Sequence, residues 1–371
     1  MATKEEVLNV LGDVIDPELG RSITDLDMVR EVRIDGGRVT VDVALTVAGC
    51  PLQGRIDEEV RRRVGALSGV EQVDVHLSVM DEQERQRLSQ RLRGQEPGHT
   101  SSVTRPGSRT VVIGVASGKG GVGKSTVTAN LAVALRRRGK RVGLLDADIY
   151  GFSIPRMLGI ATRPVAIGNA IAPVEAYGMQ VMSMGFFLEE DAAVIWRGPM
   201  LAGALDQFLN DVLWADLDYL VVDLPPGTGD VPMSLAQRLP QSKILLVTTP
   251  QEASVHVASR AAFMATKMNQ EMLGVVENMA FLVCPHCGER IDVFGSGGAD
   301  ALAQAIGQPV LARIPLAPAI REGGDEGRPV AAADEESPLR QAFDELAKVV
   351  VERTAQASPA RRQIVGPRIG F

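Results

Sequence analysis

Residues 110–126 read TVVIGVASGKGGVGKST: an apolar, β-branched run, then Gly118-Lys119-Gly120-Gly121-Val122-Gly123-Lys124-Ser125, which satisfies G-x-x-x-x-G-K-[ST], then the start of a helical pattern at Thr126. Strand, glycine loop and helix in that order suit a phosphate. Glycines let backbone N–H groups close on it, the helix N-terminus adds positive potential, Lys124 neutralises β- and γ-phosphate charge, and Ser125 can ligate Mg²⁺. A Gly-rich turn that matches by chance is the bland alternative, and the strand-loop-helix setting argues against it. Working outward, RVGLLDAD (141–148), DYLVVDLP (218–225), KILLVTTP (243–250), GVVENMA (274–280) and VLARIPL (310–316) read as further continuous apolar strands, as expected when helices cover both faces of a parallel sheet. TVTANLAVALRRRGK (126–140) and EASVHVASRAAFMATKM (252–268) read as crossover helices. The expected fold over 110–357 is α/β, a doubly wound, mostly parallel sheet.

Residues 1–79 read as a separate small α+β domain, with a helix from Lys4 to Leu11, two strands around Gly36-Gly37, a helix from Pro51 to Val64 and an alternating strand at 70–79. Residues 80–109 turn charged and then rich in Gly, Pro, Ser and Thr, so a flexible linker is expected there, helical at its start. Residues 358–371 carry Pro, Gly and three Arg with no acid, and are expected to be a disordered tail. Lys plus Arg number 39 and Asp plus Glu 46, a net charge of -7 that gives no basic field for nucleic acid or anionic lipid. No run of eighteen apolar residues and no signal-peptide pattern appears, so neither a membrane nor a nucleic-acid partner is expected. Three cysteines, two of them three positions apart, suit a reducing compartment, and the cytoplasm is the expected location.

Three acids sit where open α/β sheets bind ligands: Asp146 and Asp148 at the carboxyl end of one strand, and Asp223 at that of another. Each alone reads equally as a turn or cap residue; together with the phosphate loop they read as a site. Cys284-Pro285-His286-Cys287-Gly288 supplies two thiolates that can grip one metal centre. Two ligands are too few, and by spacing alone zinc and an iron–sulfur cluster fit equally well. A thioredoxin-type redox pair would need the motif at a helix start in a small fold, and that context is absent.

SGKGGVGKST, with its additional Lys119, resembles the deviant Walker A class of P-loop NTPases, the MinD, ParA and nitrogenase iron protein group. The resemblance implies a homodimer that sandwiches ATP, with Lys119 reaching the partner's phosphates as a catalytic charge. It implies that Asp148 orients the attacking water, that Asp223 and Ser125 belong to the Mg²⁺ shell with Asp146 close by, that Thr126 joins the nucleotide site, and that Asn278 hydrogen-bonds adenine. VASGKGGVGKST, LLDADIYGFSIPRMLG (144–159), WRGPM (196–200), DLPPGTGD (223–230), VENMAFLVCPHCG (276–288) and RIPL (313–316) together are similar to the Mrp/ApbC family of iron–sulfur cluster carrier ATPases. That resemblance implies a [4Fe–4S] cluster held by Cys284 and Cys287 of two chains and transferred to apo-proteins, with apo iron–sulfur proteins and cluster scaffold proteins as partners. Phe152 departs from the family's usual GPS turn. Asp16-Pro17-Glu18, Asp25-Leu26 with Met28-Val29, and Thr46 to Pro51 resemble a SufT-like domain. Cys50, at a predicted helix start, reads either as a transfer thiol or as a buried apolar residue. The competing functions are a MinD/ParA-type positioning ATPase, which needs a membrane helix or a basic DNA face, and a zinc-bridged scaffold that binds nucleotide without turnover.

Overall fold

A computed structural model of the chain describes residues 2–16, 21–46, 53–93, 101–105, 107–149, 151–168, 170–187 and 198–356. The N-terminal unit contains α1 (Lys4–Leu11), β1 (Val29–Asp35), β2 (Arg38–Leu45), α2 (Gln53–Gly65) and β3 (Gln72–Val79). α1 starts at a capping box, in which the Glu6 N–H donates to Thr3 Oγ1 and the Thr3 N–H to Glu6 Oε2. β1 and β2 pair antiparallel around Gly36, whose φ of +61° is glycine territory, and β3 lies parallel to β2. α2 buries Ile56, Val60 and Val64, one residue per turn on a single face.

Within the stretch expected to be a linker, the start is helical as expected, and residues 101–105 are packed. α3 (Glu82–Arg93) buries Leu88 in the small unit's core and pairs Glu84 with Arg30 at 2.5 Å. Further on, Val103 is fully buried, Ser102 Oγ contacts both Trp214 O and Ala215 O, and Thr104 Oγ1 donates to Asn210 Oδ1. The Ser and Thr that made this segment look like a loop are here hydrogen-bonded to a neighbouring element. Residues 94–100, the C-terminal stretch from 357, with the expected disordered tail, and Cys50 lie outside the described residues.

The second half runs β4 (Val111–Ser117), α4 (Lys124–Arg137), β5 (Val142–Asp146), α5 (Ile154–Met157), β6 (Val165–Ile167), β7 (Ala170–Ala172), β8 (Val174–Ala176), β9 (Met179–Ser183) and α6 (Gly198–Asn210). It continues β10 (Tyr219–Asp223), α7 (Asp230–Arg238), β11 (Lys243–Thr248), α8 (Glu252–Lys267), β12 (Glu271–Glu277), β13 (Leu282–Val283), β14 (Arg290–Ile291), α9 (Gly298–Ile306), β15 (Val310–Arg313), α10 (Pro318–Asp325) and α11 (Pro338–Gln356). Eight strands form one sheet in the order β15-β12-β11-β4-β10-β5-β9-β8, parallel except for β8 against β9. Alternate residues feed two cores: Val112, Leu220 and Leu246 face one side, Ile113, Val221 and Leu245 the other. From β4 the chain passes to β5 and β9 on one side, returns to place β10 between β4 and β5, and crosses to β11, β12 and β15 on the other side, so the direction of winding switches beside β4, at whose carboxyl end the phosphate loop lies.

The small unit's core extends at one edge into the second half of the chain. Ile167 and Ala172 of the β6–β7 hairpin are buried among its apolar residues, with Val165 and Leu213 packed alongside. No helix among the described residues is long and apolar enough to cross a membrane.

Candidate functional site

The loop between β4 and α4 has the backbone that its glycines permit: Gly121 and Gly123 lie at φ +80° and +78°, strained for any other residue. A Cβ on Gly118 would sit 2.3 Å from Ala258 N, so the loop is packed directly on the α8 backbone. A cleft of about 570 Å³ opens over it, lined among others by Lys119, Gly120, Lys124, Ser125, Thr126 and Asp148.

Sheet register brings the acids together. Asp223 is the partner of Asp146 across β10 and β5, and Ser183 is the partner of Asp146 across β5 and β9. Lys124 Nζ lies 2.8 Å from Asp223 Oδ2 and 3.3 Å from Asp148 Oδ2, and all three side chains are buried. Ser125 Oγ donates to Asp223 Oδ2 at 2.5 Å and Thr128 Oγ1 to Asp223 Oδ1 at 2.8 Å. Asp146 accepts from Ser183 Oγ and from the Asp148 and Ile154 N–H groups. Burial, reinforced by the charge of Asp223, pushes the Asp146 carboxyl up from its usual range, while the Ser183 hydroxyl and Lys124 oppose the shift. Burial also raises Asp148, with Lys124 opposing. Asp148 Oδ1 is buried without a hydrogen-bond partner while its residue lines the cleft, an acceptor left for something entering it.

Lys119 is half-buried at the cleft and its Nζ contacts Gln251 Oε1 at 3.2 Å. Asn278 is buried and donates through Nδ2 to Val122 O at 2.9 Å, so it braces the phosphate loop. Asn278 also lines a second cavity of about 320 Å³, with Thr126 shared between the two. Phe152 lays its ring over Gly185, where a Cβ would come within 2.4 Å of it; the departure fills space beside β9 and leaves every acid in place.

Cys284 and Cys287 sit at the tip of the β13–β14 hairpin, which contributes no lining residue to the cleft. The Cys284 N–H donates to Glu289 O and the Gly288 N–H to Cys284 O, with Gly288 at φ +75°. Both thiols are free, Cys284 half-buried and Cys287 exposed. The Cys287 backbone N–H, then that of His286 and then the Cys287 thiol, hold the Cys284 thiol below its usual range, favouring thiolate. No cluster of three or more acidic, His or Cys side chains suited to a metal ion occurs among the described residues. Among the described residues, one chain thus presents two free thiols.

Sequence reading did not single out Thr128, Ser183 or Gln251. Thr128 had a signal: four residues after Lys124, it shares that helical face. Ser183 and Gln251 had none, because sheet register and a loop contact 132 residues apart bring them in.

Comparison with known proteins shows the family. Residues 108–351 match the family described as NUBPL iron-transfer P-loop NTPase, and residues 4–75 match the iron–sulfur cluster assembly protein family. A protein of Mycobacterium leprae named iron–sulfur cluster carrier protein is 45% identical, over 99% of this chain and 96% of its own. A nucleotide-binding protein from Archaeoglobus fulgidus, solved in complex with ADP, is 40% identical with a TM-score of 0.55, over 63% of this chain and 91% of its own. The cell-division ATPase MinD of Pyrococcus furiosus is 27% identical with a TM-score of 0.51, over 65% of this chain and 98% of its own. Its phosphate loop, its acidic strand ends and its likeness over nearly the whole length agree: the chain belongs to the iron–sulfur cluster carrier family of P-loop NTPases.

Proposed function

We propose that the protein binds ATP with Mg²⁺ in the cleft over residues 118–126 and hydrolyses it slowly to ADP and phosphate. It carries a [4Fe–4S] cluster between two copies and transfers it to apo-proteins, with cluster scaffold proteins as further partners. The buried group formed by Lys124, Asp148 and Asp223 carries the nucleotide half of this reading. In the free protein Lys124 is held by carboxylates, and incoming phosphates offer it stronger partners beside side chains that are themselves buried. Ser125 and Asp223, already hydrogen-bonded to each other at the loop, are the residues that would hold Mg²⁺, which supplies charge neutralisation at the β- and γ-phosphates. Asp148, with one oxygen unpartnered, is placed to accept a hydrogen bond from the attacking water and orient it. Lys119, whose Nζ contacts the neutral amide of Gln251 at the cleft's edge, is the group that would turn to a partner's phosphates.

The cargo half rests on Cys284 and Cys287, which offer two thiolates where a [4Fe–4S] cluster takes four. Two chains related by a twofold axis complete the set. The domain layout keeps these tasks apart: residues 110–357 hold the nucleotide and cysteine sites, and residues 1–79 assist transfer, with Cys50 as its candidate thiol. The experiment is anaerobic purification with iron, sulfide and zinc quantitation of the wild type and of Cys284→Ser and Cys287→Ser. Iron and sulfide should fall to background in both variants while ATP binding persists. Zinc in place of iron in the wild type would favour a bridged scaffold, and undiminished iron in both variants would refute the ligand assignment.

A further inference from the structure

The stem of the cysteine hairpin is also a wall of the second cavity. Beyond the paired ends of β12 and β15 the two chains keep exchanging hydrogen bonds: the Ile314 N–H donates to Glu277 O, the Ala280 N–H to Ile314 O and the Leu316 N–H to Phe281 O, all within 2.9 Å. Asn278, Met279, Pro315 and Leu316 from this double stem line the cavity that Thr126 joins to the phosphate cleft. Cys284 follows Phe281 by three residues. The return limb is fastened at the same level. Glu277, 3% exposed, accepts from the Ala299 N–H at the start of α9 and from Arg313 Nε, each at 3.1 Å, and Arg313 in turn grips Asp300. A Cβ on Gly298 would lie 2.3 Å from Pro250 O, so this limb has no slack. One buried carboxylate therefore closes the base of the whole excursion 278–298, and no step of hydrolysis uses it.

We propose that a purine base seated in the second cavity holds this stem and so lowers the exposure of Cys284 and Cys287, with Glu277 as the positioning residue that ties the stem to the return limb. The inference rests on the reading that an adenine nucleotide occupies this site. A ligand shifts a conformational equilibrium only by contacts that differ between its states, and the base is the part of the nucleotide that touches Met279 and Leu316. The phosphates touch the loop instead.

The test uses full-length protein freed of iron and reads the alkylation rates of Cys284 and Cys287 by iodoacetamide, resolved by residue in a mass spectrometer. ADP should slow both by about fivefold, the low end of usual coupling between sites. Inorganic pyrophosphate, which fills the loop without a base, should leave them unchanged. Equal slowing by both probes, or none by ADP at a concentration shown by calorimetry to saturate, overturns the proposal. A protein that fails to bind ADP in the calorimeter overturns the underlying nucleotide reading instead, and the proposal with it. Glu277→Gln keeps an acceptor for Ala299 but loses the charge facing Arg313, so ADP protection should shrink to about twofold or less while ADP still binds. Full protection in that variant removes Glu277 from the mechanism.

Discussion

At the phosphate cleft Lys124, Asp148 and Asp223 are all at least nine-tenths buried and their charges meet within 3.3 Å, whereas on the cysteine hairpin Cys287 is exposed among Val283, Ile291 and Val293, each close to half exposed. The cleft is assembled from three strand ends and a helix, so its side chains are also part of the sheet's packing. The hairpin is two strands of two residues each beyond the sheet, with few neighbours to disturb. Substitutions in the first region should therefore change stability and function together, and in the second function alone.

The largest effect is expected from Lys124→Ala. It removes the cation from a buried group of carboxylates, which typically costs about 3–5 kcal/mol, and it removes the phosphate ligand. Urea unfolding should show the loss of stability and calorimetry the loss of nucleotide binding; a variant that loses binding at wild-type stability would break the comparison. Lys119→Ala keeps ATP binding and should lower turnover by about 10³-fold, as losing a phosphate-facing charge supplied by a partner does. Equal loss of binding in both lysine variants would place Lys119 in its own cleft. Asp148→Asn preserves size and should cut phosphate release by about 10²-fold or more while ATP stays bound. The smallest effect on the fold is expected from Cys284→Ser, with an unchanged Tm beside a lost cluster. A clear drop in Tm would mean that the hairpin is packed more tightly than its exposure indicates.

How much of this was legible in the sequence follows the same division. The phosphate loop was legible because its conformation is dictated locally, by glycines between an apolar run and a helix. The cysteine pair was legible because two ligands three apart form one short turn. Asp146, Asp148 and Asp223 were legible as strand ends, but the partners that tune them were not: Ser183 reaches Asp146 through a register between β5 and β9 that no local pattern specifies. Glu277 read as one more residue of an apolar strand, and only the fold brings Ala299 and Arg313 to it. Residues 101–105 looked like linker because Ser and Thr satisfy turns and neighbouring backbone alike. Ile167 fell in a short apolar hairpin with no sign that it would enter another unit's core.

Native mass spectrometry of the anaerobically purified wild type separates a cluster shared by two chains from one held by a single chain. A species with the mass of two chains plus four iron and four sulfide should appear, and no single chain carrying a cluster. A single chain bearing a complete [4Fe–4S] cluster, or a dimer bearing one zinc ion, would contradict the shared cluster.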